Sequence, residues 1–346
     1  MFGIGAGLLV AGPLSDVVGR TRLIHLSLGA SVVIGFASAL APTWEALLAL
    51  RFLDGFALAG LPAVATAYLR EELHPSSQGR AAGLYVGGTA FGGMSGRLVS
   101  GFGAELGGGW RWGIAATVLV GLACAVLVRL ALPASRGFEP APGNPRALAA
   151  MSRRALSDPA LLALYAIGGC SLGAMVALFN TIGFRLADPP FALGIGAASL
   201  VFLVYPLGTV SSTWFGDLAD RHGRRTVIPI GAAVAIVGAL LTLPDVLSLV
   251  VAGMGLLVIG FFAVHGVASG WVPLRAHLGG TSAGQAASLY LFTYYLGSAV
   301  FGTASGAAWT RAGWPGSVAL SVVLMLLVVV LAVLLRRTPS LVPGMR

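Results

Sequence analysis

The sequence predicts an all-α membrane protein made of two pseudo-symmetric six-helix bundles, the first of them truncated. Three observations predict it. The chain is too apolar for a water-soluble body, its apolar runs have bilayer length, and one polar loop recurs between them. Of 346 residues, 57% are hydrophobic and 10% charged, and mean hydropathy is +0.90. A soluble domain carries roughly 25% charged residues, so too little polar surface is available here.

The elements follow in chain order. Residues 1–11 form a short apolar stub without the basic start or polar cleavage region of a signal peptide. Ten apolar runs come next, at 23–41, 46–68, 81–102, 112–132, 160–183, 194–215, 226–243, 247–272, 284–306 and 315–335. Each is close to the about 20 residues that span a hydrocarbon core. Between the fourth and fifth runs lies the longest polar stretch, 133–158, rich in Pro and Arg. It reads as a linker between an N-terminal bundle at 1–132 and a C-terminal bundle at 159–338.

The halves repeat each other. Gly12-Pro-Leu14-Ser-Asp16-Val-Val-Gly19-Arg20 returns as Gly216-Asp-Leu218-Ala-Asp220-Arg-His-Gly223-Arg224, 204 residues later. Gly55 pairs with Gly260, Arg70 with Arg275, Gly79 with Gly284 and Tyr85 with Tyr290, all at an offset of 205. A nearly constant offset across loops and spans marks a duplication. Used as a ruler, the repeat leaves about 45 residues of the second half without a counterpart before Gly12. That is one span and half of the next, so twelve spans are expected for a complete molecule and ten spans plus a stub stand here.

Charge sets the expected sidedness. All 21 basic residues are Arg, against 12 acidic residues, for a net charge of +9. Sixteen of the arginines fall in loops or tails on one side and five in spans or on the other. The positive-inside rule then puts both repeated loops, the linker and the C-terminus in the cytoplasm. Such alternation argues against a nucleic-acid surface. Cys124 and Cys170 lie in apolar runs and read as small buried hydrophobes, without disulfide or metal spacing. The chain contains no Lys, so it holds no G-x-x-x-x-G-K nucleotide loop. No cofactor is expected.

These residues resemble the major facilitator superfamily. The two G-x-L-x-D-x-x-G-R stretches are similar to its hallmark cytoplasmic loops between spans two and three and spans eight and nine. Leu47-x-x-x-Arg51-Phe-Leu-Asp54-Gly55-x-Ala57-Leu58-Ala59 resembles the span-four motif, with Asp54 where Gln is usual. Gly83-x8-Gly92-x3-Gly96-Arg97-x2-Ser100-Gly101 has the spacing of the span-five antiporter motif, with Arg97 in place of Pro and Ser100 in place of Gly. Gly83-Leu-Tyr85, Gly92-Gly-Met-Ser-Gly-Arg97 and Ser288-Leu-Tyr290-Leu-Phe-x-Tyr294-Tyr295-Leu-Gly297 are similar to the YnfM-type, arabinose-efflux-like bacterial inner-membrane transport proteins. The resemblance implies a monomeric carrier in the inner membrane, with proton-coupled export of a small molecule.

Candidate residues follow from the cost of polar groups in a bilayer. In the loops, Gly12, Gly19, Gly216 and Gly223 permit tight turns, while Asp16, Arg20, Asp220 and Arg224 can pair at helix ends. Among twelve acids only Asp54 lies well inside a span, roughly 12 Å along the helix from its outer end. With Arg51 on the same face, it is either a structural ion pair or a proton switch whose affinity Arg51 sets. Arg97 either snorkels outward or lines the outer vestibule, where Asp54 or an anionic substrate is within reach. His265, the one histidine deep in a span, is a packed imidazole or a proton carrier. Asn180, Tyr205, Tyr290 and Tyr294 are candidates for a cavity that takes an amphipathic ligand. The glycines around Arg97 read as a face for close helix packing. Trp110, Trp112, Trp309 and Trp314 read as an interfacial belt.

The expected function is therefore secondary active transport by alternating access, as proton-coupled efflux of a drug- or sugar-like molecule. Solute uptake is the runner-up. A non-transporting sensor or decayed transporter is the reading from a different class, because span one has no counterpart here. An enzyme is disfavoured for want of a clustered acid–base or nucleophilic site.

Overall fold

The computed structural model describes residues 1–135 and 153–338. The expected linker at 133–158 lies largely outside the described residues. Regular structure among the described residues is helical throughout. In order these are α1 Phe2–Val18, α2 Arg20–Ala39, α3 Trp44–Leu58, α4 Gly60–Glu72, α5 Pro75–Gly107, α6 Trp110–Ala131, α7 Pro159–Ala187, α8 Ile195–Ser199, a 3-10 turn Leu200–Val204, α9 Pro206–His222, α10 Arg224–Leu241, α11 Leu247–Leu278 and α12 Ala283–Leu335. They form two compact units, Met1–Asn144 with Gly194–Phe202, and Pro145–Leu193 with Leu203–Arg346. The short helix α8 thus belongs to the first unit, although its sequence neighbours belong to the second.

Local chemistry starts and breaks the helices. Thr43 opens α3 by accepting from the Ala46 amide at 3.2 Å. Asp158 caps α7 through the Ala160 amide at 2.8 Å, with Pro159 in the first helical position, where its missing N–H costs nothing. Among the described residues eight helical stretches are long and apolar enough to cross a bilayer. One of them, α12, contains two of the expected spans, separated at Gly313, whose φ of 60° no continuous helix accepts. The glycine-rich α5, 33 residues long, covers the run expected at 81–102 but is not one of these eight.

In the first unit α1 lies directly on α3. A Cβ at Gly7 would come within 2.6 Å of the Phe56 carbonyl, and one at Gly55 within 3.1 Å of the Ile4 nitrogen. Ala11, Leu23, Ile24 and Val64 form a buried cluster beneath this contact. In the second unit α7 meets α12 through glycine. A Cβ at Gly169 would stand 2.8 Å from the Thr293 carbonyl, and one at Gly168 would be 2.6 Å from the Tyr290 ring. Gly253 of α11 approaches Gly238 of α10 just as closely. Lipid tails are as apolar as leucine, so membrane helices associate through such close backbone packing.

Within the first unit a Cβ at Gly88, Gly92 or Gly96 would meet nothing within 4 Å, whereas one at Gly101 would press on Ser199. Two expectations need correction. Trp314 is no interfacial anchor. It is 3% exposed, and its indole N–H reaches the Thr242 carbonyl at 3.0 Å and hydroxyl at 3.1 Å. Cys124 is exposed rather than buried, because only 6% of the most apolar stretch of α6 is buried and the helix turns its surface outward.

Candidate functional site

The repeated loops are the first functional feature. Each copy uses a single glycine as the turn, Gly19 at φ 100° and Gly223 at φ 85°, in the region where a side chain is strained. Gly12 and Gly216, expected to share in those turns, lie instead within α1 and α9. One positive φ is enough to reverse the chain between two helices, so the first glycine of each copy is free to be helical. The side chain of Asp16 lies outside the described residues. Arg20 clasps Glu71 at the end of α4, with Nη2 2.9 Å and Nε 3.2 Å from Oε1 and Nε 3.2 Å from Oε2, and also donates to the Ser15 hydroxyl. In the second copy Arg224 stands 4.0 Å from Asp220, whose side chain is exposed.

A further ion pair of the second unit joins α11 to the start of α7. Arg275 on α11 donates to Asp158 from Nε at 2.8 Å and from Nη2 at 3.2 Å. Burial pushes the Asp158 carboxyl up in pKa, but the bond and charge of Arg275 and the capped amides outweigh it. The group is held below the ordinary carboxylate value. The aspartate therefore serves as helix cap and salt-bridge acceptor at once.

Inside the spans, the structure brings some sequence candidates together. Asp54 on α3 lies 3.4 Å from Arg51, one turn back, and accepts from the Ser31 hydroxyl of α2. Its side chain is 17% exposed against 42% for Arg51, so the carboxylate is the withdrawn partner. Ser31 did not stand out in the sequence. Arg97 on α5 places its guanidinium 5.0 Å over the Phe202 ring. Below it, Glu105 accepts from the Gly196 amide at 2.7 Å and so caps α8. Phe202 and Glu105 were likewise not anticipated.

In the second unit His265, Tyr290 and Tyr294 form one cluster. His265 Nδ1 and the Tyr290 hydroxyl share a hydrogen bond of 2.9 Å. The imidazole stacks on Tyr294 at 4.6 Å and lies parallel to Phe261 at 5.7 Å. Tyr290 is 2% exposed, seated where Gly168 leaves room. Tyr205 is also buried, edge-on to Phe179 at 5.0 Å. Asn180 is exposed on α7, its amide beside Gly302. Flat aromatic faces with a hydroxyl and an imidazole suit a ligand that has an apolar body and a few hydrogen-bonding groups.

Duplicated units of membrane-crossing helices, each carrying the same glycine–arginine turn, define a polytopic membrane transporter. The chain belongs to the Major Facilitator Superfamily, whose model matches residues 1–216. It is 40% identical over 326 residues to the uncharacterized MFS-type transporter YybF of Bacillus subtilis, covering 94% of this chain and 79% of that one. It is 39% identical over 328 residues to the inner membrane transport protein YnfM of Escherichia coli, covering 94% and 78%. Among solved structures, a bacterial homologue of the human lysosomal transporter Spinster, in an inward-facing and unoccupied conformation, superposes with a TM-score of 0.74 at 16% identity. That match covers 96% of this chain and 85% of the other and shares the fold.

Proposed function

We propose that this transporter exports a small amphipathic or sugar-like molecule across the inner membrane, by alternating access, in exchange for protons. The supporting observation is Asp54, a carboxylate inside a span, held by one hydroxyl and one guanidinium. A carboxylate is costly at that depth, and its presence there points to a function. Taking up a proton cancels its attraction for Arg51 and turns it from a pure acceptor into a donor toward Ser31. Protonation thereby frees Arg51 from its partner within α3 and reverses the hydrogen bond between α3 and α2, and deprotonation restores both. The His265–Tyr290–Tyr294 cluster, with Tyr205 and Asn180 on the same unit, is assigned to the substrate. The Gly19–Arg20 and Gly223–Arg224 turns are the hinges on the cytoplasmic side, as is the C-terminus.

The test uses the full chain in proteoliposomes holding a pH-sensitive dye, with ethidium and L-arabinose as separate probes. Movement of either probe is expected to run against a proton flux. Asp54→Asn is expected to abolish the coupled pH change while leaving exchange of the probe intact. An Asp54→Asn protein with unchanged pH dependence refutes the proton assignment. Movement of probe and proton in the same direction establishes uptake instead.

A further inference from the structure

Three span ends meet at the pole of the first unit opposite Arg20 and Glu71: the end of α2, the start of α3 and the start of α6. Between them is a cavity of about 390 Å³, lined chiefly by Pro42, Trp44, Leu47, Trp110, Arg111 and Ile114. That volume lies in the range of about 300–1,000 Å³ typical of small-molecule sites. It stands apart from the Asp54 and Arg97 groups and has no part in the transport reading.

Its chemistry is asymmetric. Leu47, Ile114, Pro42 and the two indoles are apolar, and Arg111 is the cation of the lining. The Arg111 guanidinium donates from Nη2 to the Ala41 carbonyl at 2.9 Å and lies 4.3 Å over the Trp110 ring. Among the described residues no carboxylate pairs with it. One N–H is spent on a neutral carbonyl, and the remaining donors suit a tetrahedral oxyanion, which arginine binds through two parallel bonds. Glu45, in the first turn of α3, does not line the cavity.

The surroundings select the source of that oxyanion. The cavity lies at the start of α6, whose Leu119, Val120, Leu122, Val126, Leu127 and Leu130 farther along are all exposed and form a lipid-facing helix surface. Tryptophans at both helix starts mark the headgroup level of a bilayer. An anion at headgroup level, with apolar surface running down from it, is the phosphate of a membrane lipid.

We infer that the cavity between Trp44, Trp110 and Arg111 holds the headgroup of one phospholipid, with its phosphate on Arg111 and its glycerol between the two indoles. The acyl chains lie down α6. This lipid pins the ends of α2, α3 and α6 together and is a bound component of the first unit rather than cargo.

Native mass spectrometry of the full chain in mild detergent tests this. Phosphatidylglycerol, phosphatidylethanolamine, diacylglycerol and inorganic phosphate are titrated separately. The wild type is expected to retain one phospholipid of either kind and to ignore diacylglycerol and inorganic phosphate. Arg111→Gln is expected to weaken that binding by about tenfold or more, the effect of losing a charged hydrogen bond. Ile114→Trp, which fills the cavity and keeps the guanidinium, is expected to weaken it comparably, so the test survives if one variant does not fold. Equal phospholipid affinity in wild type and variants overturns the inference. So does diacylglycerol binding as well as phospholipid, which reduces the cavity to an apolar groove. Retention of inorganic phosphate with no added gain from lipid overturns it in favour of a free-anion site.

Discussion

Replacing Gly169 with Ala tests whether the α7–α12 seam is held by backbone contact. The new methyl would stand 2.8 Å from the Thr293 carbonyl oxygen, itself fixed in a helix. A carbon and a carbonyl oxygen settle at about 3.3–3.6 Å, so the helices must part by roughly 0.5–0.8 Å. A radial gap of about 0.5–1 Å forfeits a quarter to a half of each neighbouring dispersion contact. Overpacking of this kind costs about 1–3 kcal/mol. The gain in helix propensity, about 1 kcal/mol for Gly→Ala, offsets part of it. Gly92→Ala is the matched control, because a Cβ there meets nothing within 4 Å and only the propensity gain applies. The two variants should therefore differ by about 2 kcal/mol, with opposite signs relative to wild type. In units of 150–250 residues, 1 kcal/mol moves the midpoint by about 2–4 °C. Thermal denaturation in detergent, read by the loss of the monodisperse size-exclusion peak, should show Gly169→Ala about 4–8 °C below Gly92→Ala. Equal midpoints, or a Gly169→Ala protein as stable as the control, would refute backbone contact as the basis of this seam.

Other expectations are equally concrete. The Asp158 carboxyl is held below its ordinary pKa, so the stability it contributes is present above about pH 4 and is lost as pH falls through the lowered value. Asp158→Asn should accordingly lower the denaturation midpoint at pH 7 and converge with wild type in strong acid; a constant difference at every pH argues against the ion pair. Trp314→Phe removes the donor to the Thr242 carbonyl and hydroxyl and should cost about 1–3 kcal/mol, with Thr242→Val restoring the part due to the hydroxyl; a strictly additive double variant would show that the bond to the hydroxyl is not made. Tyr290→Phe leaves His265 without its hydroxyl partner at 2.9 Å and should reduce probe affinity more than maximal rate. Unchanged affinity in the liposome assay would remove the pair from the binding site.

Several of these features could be read from sequence because single residues broke a strong rule. A carboxylate in an apolar run singled out Asp54, and a histidine at similar depth singled out His265. The glycine–arginine turns stood out because they recur at a constant offset. Pairings were less legible, since they depend on how helices cross. Glu105 sits near a helix end and looked like an ordinary boundary charge. Its bond to the Gly196 amide spans 91 residues. Ser31 is a common, small polar residue, and nothing local distinguishes it from Ser27 or Ser38. Trp314 follows a glycine at a span end, as an interfacial anchor would, and only the fold carries its indole to Thr242. The Arg111 cavity needs the α2–α3 loop beside the start of α6, two segments that no sequence period connects.

The close approach of α7 and α12 also sets a timetable. The Thr293 hydroxyl reaches back 128 residues to the Tyr165 carbonyl. At a synthesis rate of about 5–20 residues per second, α7 emerges roughly 6–25 s before its partner. For that interval its glycine face lies in the bilayer without the helix it was shaped for, and Tyr290 has not yet been made. The second unit can assemble its aromatic cluster only near the end of translation, so a ribosome stalled before α12 leaves behind a helix with a groove and nothing to fill it.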